Sequence, residues 1–364
     1  MPSRPRKPTM QDVSRLAGVS TMTVSRVLAE PGIVALETRE RVQRAIEQLG
    51  YVPDKVAGSL SSRRTGFIAT ILPTLTNANF ADTAHALTEA LRRAGYQLLI
   101  GYTMYSLAEE ERLIRAMLAR RPEAIVVTGT THGKTADRML LDAGVPVVEI
   151  WDLPPRPLDH AVGFSNHEAG RAAARHLLDL GHRRLGALGP RPEGEARDFR
   201  GEERLAGFAA VLRERGLDDT LVVREERVPL SFEQGARSLA ALLERAPDVE
   251  AVFAVSDLVA VGALMECHRR SIRVPRDLSL IGFGDFEIGR QCVPELTTIR
   301  VDAHEIGRRT GELLLRLLQI EPRAGGEEPN FIEVGFGLVS RATTAPVEGP
   351  RRTSTRERGR VAAS

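Results

Sequence analysis

The chain has 364 residues, 42% hydrophobic and 27% charged, which suggests two or three globular domains and excludes a mainly disordered or collagen-like chain. No apolar run reaches the ~18 residues of a membrane span, the start MPSRPRKPTM has no apolar signal-peptide core, and Cys267 and Cys292 form neither a metal-ligand spacing nor a disulfide framework, as expected in a reducing cytoplasm. The net charge of +2 conceals +5 over residues 1–64, −7 over 65–340 and +4 over 341–364, so a basic head on an acidic body is expected to meet a polyanion.

Thr9 and Asp12 have capping-box spacing before an amphipathic run with apolar Val13, Leu16 and Ala17. Gly18 supplies the turn that ends this helix, Val19 follows as a buried anchor, and Ser20 caps a second helix. There Val24, Val27 and Leu28 face inward, while Thr21, Met22, Ser25 and Arg26 face outward. Two short helices around a glycine turn make a helix-turn-helix. A short helix normally fills its outer face with Glu or Lys. Small side chains, a Met and an Arg, with no acid, suit close approach to a DNA major groove. Pro31-Gly32 turns into a third helix over about Thr38–Leu49, with Val42, Ala45, Ile46 and Leu49 inward and Arg39, Arg41 and Arg44 outward; Gly50 and Pro53 stop it.

The strings TMQDVSRLAGVSTMTVSRVL and TRERVQRAIEQLGYVPDKVAGSL resemble the DNA-binding head of the LacI/GalR (lactose/galactose repressor) family, almost continuously over residues 9–64. The resemblance implies that Thr21, Met22 and Arg26 read bases. It implies that Ser20, Thr23, Ser25 and the third-helix arginines, Arg39 among them, contact or orient phosphates, with Thr9 in the same DNA-binding set. Residues 1–54 would form this head and 55–64 a hinge that folds as a helix on the operator. Lys55, Ala57 and Leu60 belong to that hinge, Leu60 as a wedge into the minor groove. Two residues depart from the family: Ala35 stands where a Ser usually caps the third helix, and Gly58 lies within the hinge helix, where Gly costs ~1 kcal/mol relative to Ala.

Beyond residue 64, apolar runs alternate with amphipathic segments. Strands are expected at Phe67–Leu72, Gln97–Gly101, Ala124–Thr128, Val145–Ile150, Leu185–Leu188, Ala251–Val255 and Leu278–Ile281. Helices are expected at Ala81–Ala94, Ala108–Ala119, Glu168–Leu180, Glu202–Glu214, Phe232–Leu243 and Leu258–Arg269. The alternation implies parallel sheets covered by helices, and the strand number implies two doubly wound subdomains with a ligand cleft at the carboxyl ends of their strands. The stretches FIATILPTLTNANFADT, AVGFSNHEAGRAAARHLLDLGHRRLGALG, RLAGF, AVSDLVAVGAL and VPRDLSLIGFGD extend the family resemblance to residue 342. It implies an all-α helix-turn-helix head plus an α/β periplasmic-binding-protein-like core of two doubly wound parallel-sheet subdomains. The core would span 65–342, with one subdomain about 65–163 plus 298–322 and the other about 164–297 plus 323–342. Within the family, LPTLTNANFAD, GYQ, EEERL, TTH, VPVVE and LDHAVGFSNHEAGR are most similar to the gluconate-operon repressors.

The effector candidates follow strand ends. By family position, Phe80 would stack on a sugar face and Arg204 would face ligand oxygens, where a guanidinium can grip a carboxylate with two parallel hydrogen bonds. Ser256 and Asp257 end a strand on the ligand edge, and Asp257 could instead cap the next helix. Gly284 stands where many relatives carry a sugar-binding aspartate, so that acid is lost or displaced to Asp285. Its loss suits an acidic effector. Tyr102, Thr128, Trp151 and Asp152 complete the set, with Tyr105, Thr131 and His132 also at strand ends. The expected function is a sequence-specific repressor of sugar-acid catabolic genes, released by gluconate or a related sugar acid, with a neutral sugar or nucleoside as the alternative effector. Partners would be a pseudo-palindromic double-stranded operator and a second copy in a homodimer, with no membrane, cofactor or metal. No dinucleotide, P-loop or nucleophile-elbow motif supports an enzyme, and a transport binding protein would lack the basic head. The tail 343–364 reads as disordered and basic, with no leucine heptads.

Overall fold

A computed structural model describes residues 6–29, 31–52, 65–320 and 330–347. The chain divides into two compact units between Thr65 and Gly66. In the first, α1 (Met10–Ala17), α2 (Thr21–Ala29) and α3 (Leu36–Leu49) pack around Val13, Val24, Val27, Val42 and Ala45. The capping box forms: the Asp12 amide donates to Thr9 Oγ1 at 3.3 Å and the Thr9 amide to Asp12 Oδ2 at 2.9 Å. Hydrogen bonds from Thr9, joined by Arg6, hold the Asp12 carboxyl down to about 2. Gly18 ends α1 in the left-handed region, and Ser20 Oγ accepts from the Thr23 amide at 3.1 Å. Leu16, expected on the apolar face, is 47% exposed. Val13 and Ala17, one turn apart, centre the buried stripe, and Leu16 falls on its rim. α3 begins two residues earlier than expected, and Ala35 makes no side-chain cap there.

The second unit contains two six-stranded sheets. The first joins β1 (Phe67–Leu72), β2 (Gln97–Tyr102), β3 (Ala124–Thr128), β4 (Val147–Ile150), β5 (His160–Gly163) and β11 (Phe331–Glu333) in the order β11-β5-β4-β3-β1-β2. The second joins β6 (Leu185–Pro190), β7 (Val222–Glu225), β8 (Ala251–Ala254), β9 (Ser279–Phe283), β10 (Thr297–Arg300) and β12 (Gly337–Val339) in the order β12-β10-β9-β8-β6-β7. All pairings are parallel except β10 with β12. Around the first sheet lie α4 (Ala78–Arg92), α5 (Leu107–Leu118), α6 (Lys134–Leu141) and α12 (Ala303–Leu317); α7 (Asn166–Asp179), α8 (Phe199–Glu214), α9 (Phe232–Arg245), α10 (Asp257–Arg269) and α11 (Glu287–Gln291) belong to the second.

The chain passes between lobes after β5, after β10 and after β11. Two subdomain boundaries therefore move. β10 pairs with β9, so the second crossing falls after Arg300, not at 297/298. β11 pairs with β5, so 331–333 belong to the first lobe. The tail boundary moves as well. Thr343 is fully buried, its hydroxyl donates to Leu280 O at 2.6 Å, and the Val347 amide donates to Leu180 O, so residues 343–347 are packed into the second lobe.

Candidate DNA-reading face and effector cleft

In the head, α2 turns Thr21, Met22, Ser25 and Arg26 outward, with Met22 66% exposed. Arg26 Nη2 lies 4.0 Å from Met22 Sδ one turn away, so the two longest side chains stand together on this face. The Thr23 hydroxyl is bonded to Ser20 Oγ at 2.9 Å, which ties both to the helix start. Thr9 is engaged in its capping box and Arg39 is half-buried on α3. Lys55, Ala57, Gly58 and Leu60 lie outside the described residues.

In the body, strand order reverses beside β1 and β3 in one sheet and beside β6 and β8 in the other. Ligands of such sheets sit where the order reverses, beyond the carboxyl ends of the strands. The cleft is built there, in two adjoining chambers that share Tyr105 and Arg200 in their walls. The first chamber has an aromatic floor. Phe80 meets Trp151 edge-on at 5.4 Å, and Phe164 continues the row to Phe283 across the first crossing segment. Trp151 Nε1 donates to Thr83 Oγ1 at 3.1 Å.

Arg204 enters this chamber from α8. Gly207 on α8 has no room for a side chain, since a Cβ would sit 1.9 Å from His167 O on α7. That close approach brings Arg204 Nη1 within 2.5 Å of Asn166 Oδ1. Its Nε donates to Val255 O at 3.1 Å, and its guanidinium lies 4.0 Å over the Phe283 ring. Burial lowers the guanidinium to about 10, well above neutral, so it stays charged. Two of its nitrogens are thus committed, and the free two-pronged fork expected from the sequence is not available. One turn earlier, Arg200 supplies a second buried guanidinium, 5.6 Å from the Phe80 ring, with Nη1 donating to Thr128 O at 3.3 Å. Among the described residues, only the Asp198 carboxylate lies within 4 Å of either arginine, at 3.9 Å from both. Burial and the Asp198 charge raise the Tyr105 hydroxyl, keeping it protonated.

Tyr105, a strand-end candidate from the sequence, lines both chambers, whereas Arg200 and Asp198 are ligand groups that the sequence reading does not single out. The usable signal was the spacing of Arg200 and Arg204, four residues apart on one helical face. Phe80, Trp151 and Ser256 line the first chamber, while Thr128 and Asp152 line the second. Ser256 also caps α10, its Oγ accepting from the Leu258 amide.

Three candidates lie elsewhere. Tyr102 ends the edge strand β2, 52% exposed, because side chains alternate along a strand and Gly101 takes the inward position. Asp257 is fully buried below the cleft, accepting from the Phe286 amide at 2.8 Å and Thr298 Oγ1 at 2.7 Å; burial pushes it up to about 6. Asp285 does not replace the missing acid, since its carboxylate pairs with Arg341 at 2.6 Å. Gly284 has φ +128 and a Cβ there would lie 2.5 Å from the Phe286 ring, so the loop has no room for the aspartate of other relatives.

A helix-turn-helix head joined to a two-lobed body with a charged interlobe cleft defines a transcriptional regulator. Residues 9–54 match the model of bacterial regulatory proteins of the lacI family, and residues 174–344 match a periplasmic binding protein-like domain. The HTH-type transcriptional regulator GntR of Pseudomonas aeruginosa is 38% identical over 93% of this chain and 96% of its own. A LacI-family transcriptional regulator of Silicibacter pomeroyi superposes with a TM-score of 0.85 at 34% identity, covering 93% of this chain and 99% of that one. The transcription regulator GntR of Chromobacterium violaceum gives 0.70 at 34% identity over 76% of this chain and 99% of that one. The chain belongs to the LacI family of bacterial regulatory proteins and is a transcriptional repressor of that family.

Proposed function

We propose that the protein represses sugar-acid catabolic genes and that a small sugar acid of the gluconate type, bound between the lobes, releases it from its operator. The carrying observation is the pair of buried guanidiniums, Arg200 and Arg204, with one carboxylate 3.9 Å from each. A buried positive charge incompletely matched within the protein favours an anion. A planar carboxylate suits guanidinium geometry, and the floor of Phe80 and Trp151 suits the apolar face of a sugar carbon chain. The resemblance to gluconate-operon repressors supports the same ligand. The loop at Gly284 offers no acid to repel it.

In this reading a homodimer presents two copies of α2 to the half-sites of a pseudo-palindrome. Closure of the cleft shifts the lobes and, through the chain leading to the heads, operator affinity by about 1–3 kcal/mol. The test is calorimetry of the full-length protein against gluconate, 2-ketogluconate, 6-phosphogluconate, neutral hexoses and nucleosides. Release is followed by gel shift on duplexes selected from random sequence. Binding of hexoses or nucleosides with sugar acids silent would overturn the acidic effector in favour of a neutral one.

A further inference from the structure

We propose that the second chamber of the cleft is a subsite for the polyol chain of an open-chain sugar acid, and that Glu110 is the acceptor that reads its distal hydroxyls. This rests on the sugar-acid reading above and adds which end of the ligand lies where. Arg197 lines the chamber but is paired with Glu202 at 2.5 Å, and hydroxyls and carboxylates from Thr103, Ser106, Glu110, Thr128, Thr130 and Asp152 make up much of the polar wall. Most of their polar atoms are engaged. Thr128 Oγ1 donates to Ile71 O, Asp152 Oδ2 accepts from Thr130, and Asp152 Oδ1 accepts from the Leu153 amide and Asn166.

Glu110 differs. It lies on the inward face of α5, 5% exposed, with Oε1 3.0 Å from His132 Nδ1. Its Oε2 is buried and has no hydrogen-bond partner among the described residues. Buried acceptors are almost always paired, so this oxygen calls for a donor from the chamber. Behind it, His132 lies between two buried carboxylates, with Nε2 3.6 Å from Glu149 Oε1, while Glu149 Oε2 accepts from the Leu158 amide at 2.7 Å. One imidazolium between two carboxylates leaves this cluster with an excess of negative charge.

A carboxylate is repelled there, and a hydroxyl, which donates, is welcomed. The other end holds Arg204, and Arg200 stands in the wall common to both chambers. Charge therefore orients the ligand, acid group towards the arginines and hydroxyls towards Glu110. An open chain can extend through both chambers, whereas a pyranose ring gathers its hydroxyls in one. The cluster is not a metal site, since no group of three metal-ligating side chains that could hold an ion occurs among the described residues.

The test is calorimetry of the full-length protein with glycerate, threonate, gluconate and the ring acid glucuronate, for the parent and for Glu110→Leu. The parent should bind gluconate roughly tenfold or more tightly than glycerate or glucuronate. Glu110→Leu should abolish that preference, leave glycerate affinity unchanged, and still bind operator DNA. If Glu110→Leu does not fold, Glu110→Gln, which replaces the charged acceptor by a neutral amide, should reduce the preference in the same direction. Affinity independent of chain length in the parent, or gluconate bound by a folded Glu110→Leu as by the parent, would overturn the subsite while leaving the sugar-acid reading intact. Failure of the parent to bind any sugar acid would overturn that reading and the subsite with it.

Discussion

The head and the cleft recognise their targets by opposite physical means. The head displays the residues proposed to read bases, Thr21, Met22 and Arg26, on one exposed helical face supported by a small apolar core. Little is spent on holding them, and their work begins when phosphates and bases supply partners. In the cleft, the two arginines, four residues apart on α8, are buried and held by main-chain carbonyls, Asn166 and aromatic rings that come from strand ends and helices far apart in sequence. Such a site is preorganised, so less ordering is required when the ligand binds. One surface suits a long, regular polyanion; the other suits a small ligand that must be told from its isomers.

Removing either cleft arginine should separate the two regions most completely. Arg200→Ala and Arg204→Ala should each weaken a sugar acid by about 1.5–3 kcal/mol, the range for hydrogen bonds to charged groups, while operator binding persists. The result is a repressor that cannot be induced, checked by calorimetry and gel shift in parallel. A variant that responds to its effector like the parent would remove the carboxylate assignment. Gly284→Asp is a poor test of charge repulsion, because the Phe286 ring and the positive φ oppose any side chain there.

Arg26→Ala or Met22→Ala should act on the head alone, costing ~1–3 kcal/mol of specific binding and relaxing preference at one operator position. Calorimetry with the effector should be unchanged. Equal loss on every sequence would show that α2 positions the head without reading bases.

A subtler contrast lies in what pH does to each region. Burial drives His132 towards its neutral form, but Glu110 and Glu149 outweigh that and raise it from 6.5 to about 9. The folded body therefore holds this proton more tightly than the unfolded chain. The stabilisation is complete below about pH 6.5 and is lost as pH rises towards 9. Replacing His132 by Asn should flatten the alkaline limb of the melting profile; an unchanged limb would show that the cluster is not its source. The smallest effect is expected at the head's first cap. Thr9→Ala removes the oxygen that receives the Asp12 amide and should cost ~1 kcal/mol, read by hydrogen exchange in α1 with the cleft unaffected.

The head was legible in the sequence because its structure is written in short-range rules. The capping pair Thr9/Asp12, Gly18, and the spacing of Val24 and Val27 act within a few residues of one another, so α1 and α2 appear where pattern places them. Ala35 likewise announced a missing cap. The longer strands of the body were legible too, since an apolar run buried on both faces carries its own signal. The short strands β5, β7, β10, β11 and β12, of three or four residues, were not, because too few residues alternate to show a period, and pairing with a neighbour alone makes them strands. For the same reason the lobe boundaries depended on β10 and β11. In the cleft, Arg204, Phe80 and Trp151, all candidates from the sequence, line the first chamber. Tertiary packing decided that Arg204 is half committed, that Arg200 and Tyr105 join it, and that Asp257, Asp285 and Tyr102 point elsewhere. A strand end marks where the chain meets the cleft, but a side chain's direction and partners are set by segments a hundred residues away, and no local pattern carries that information.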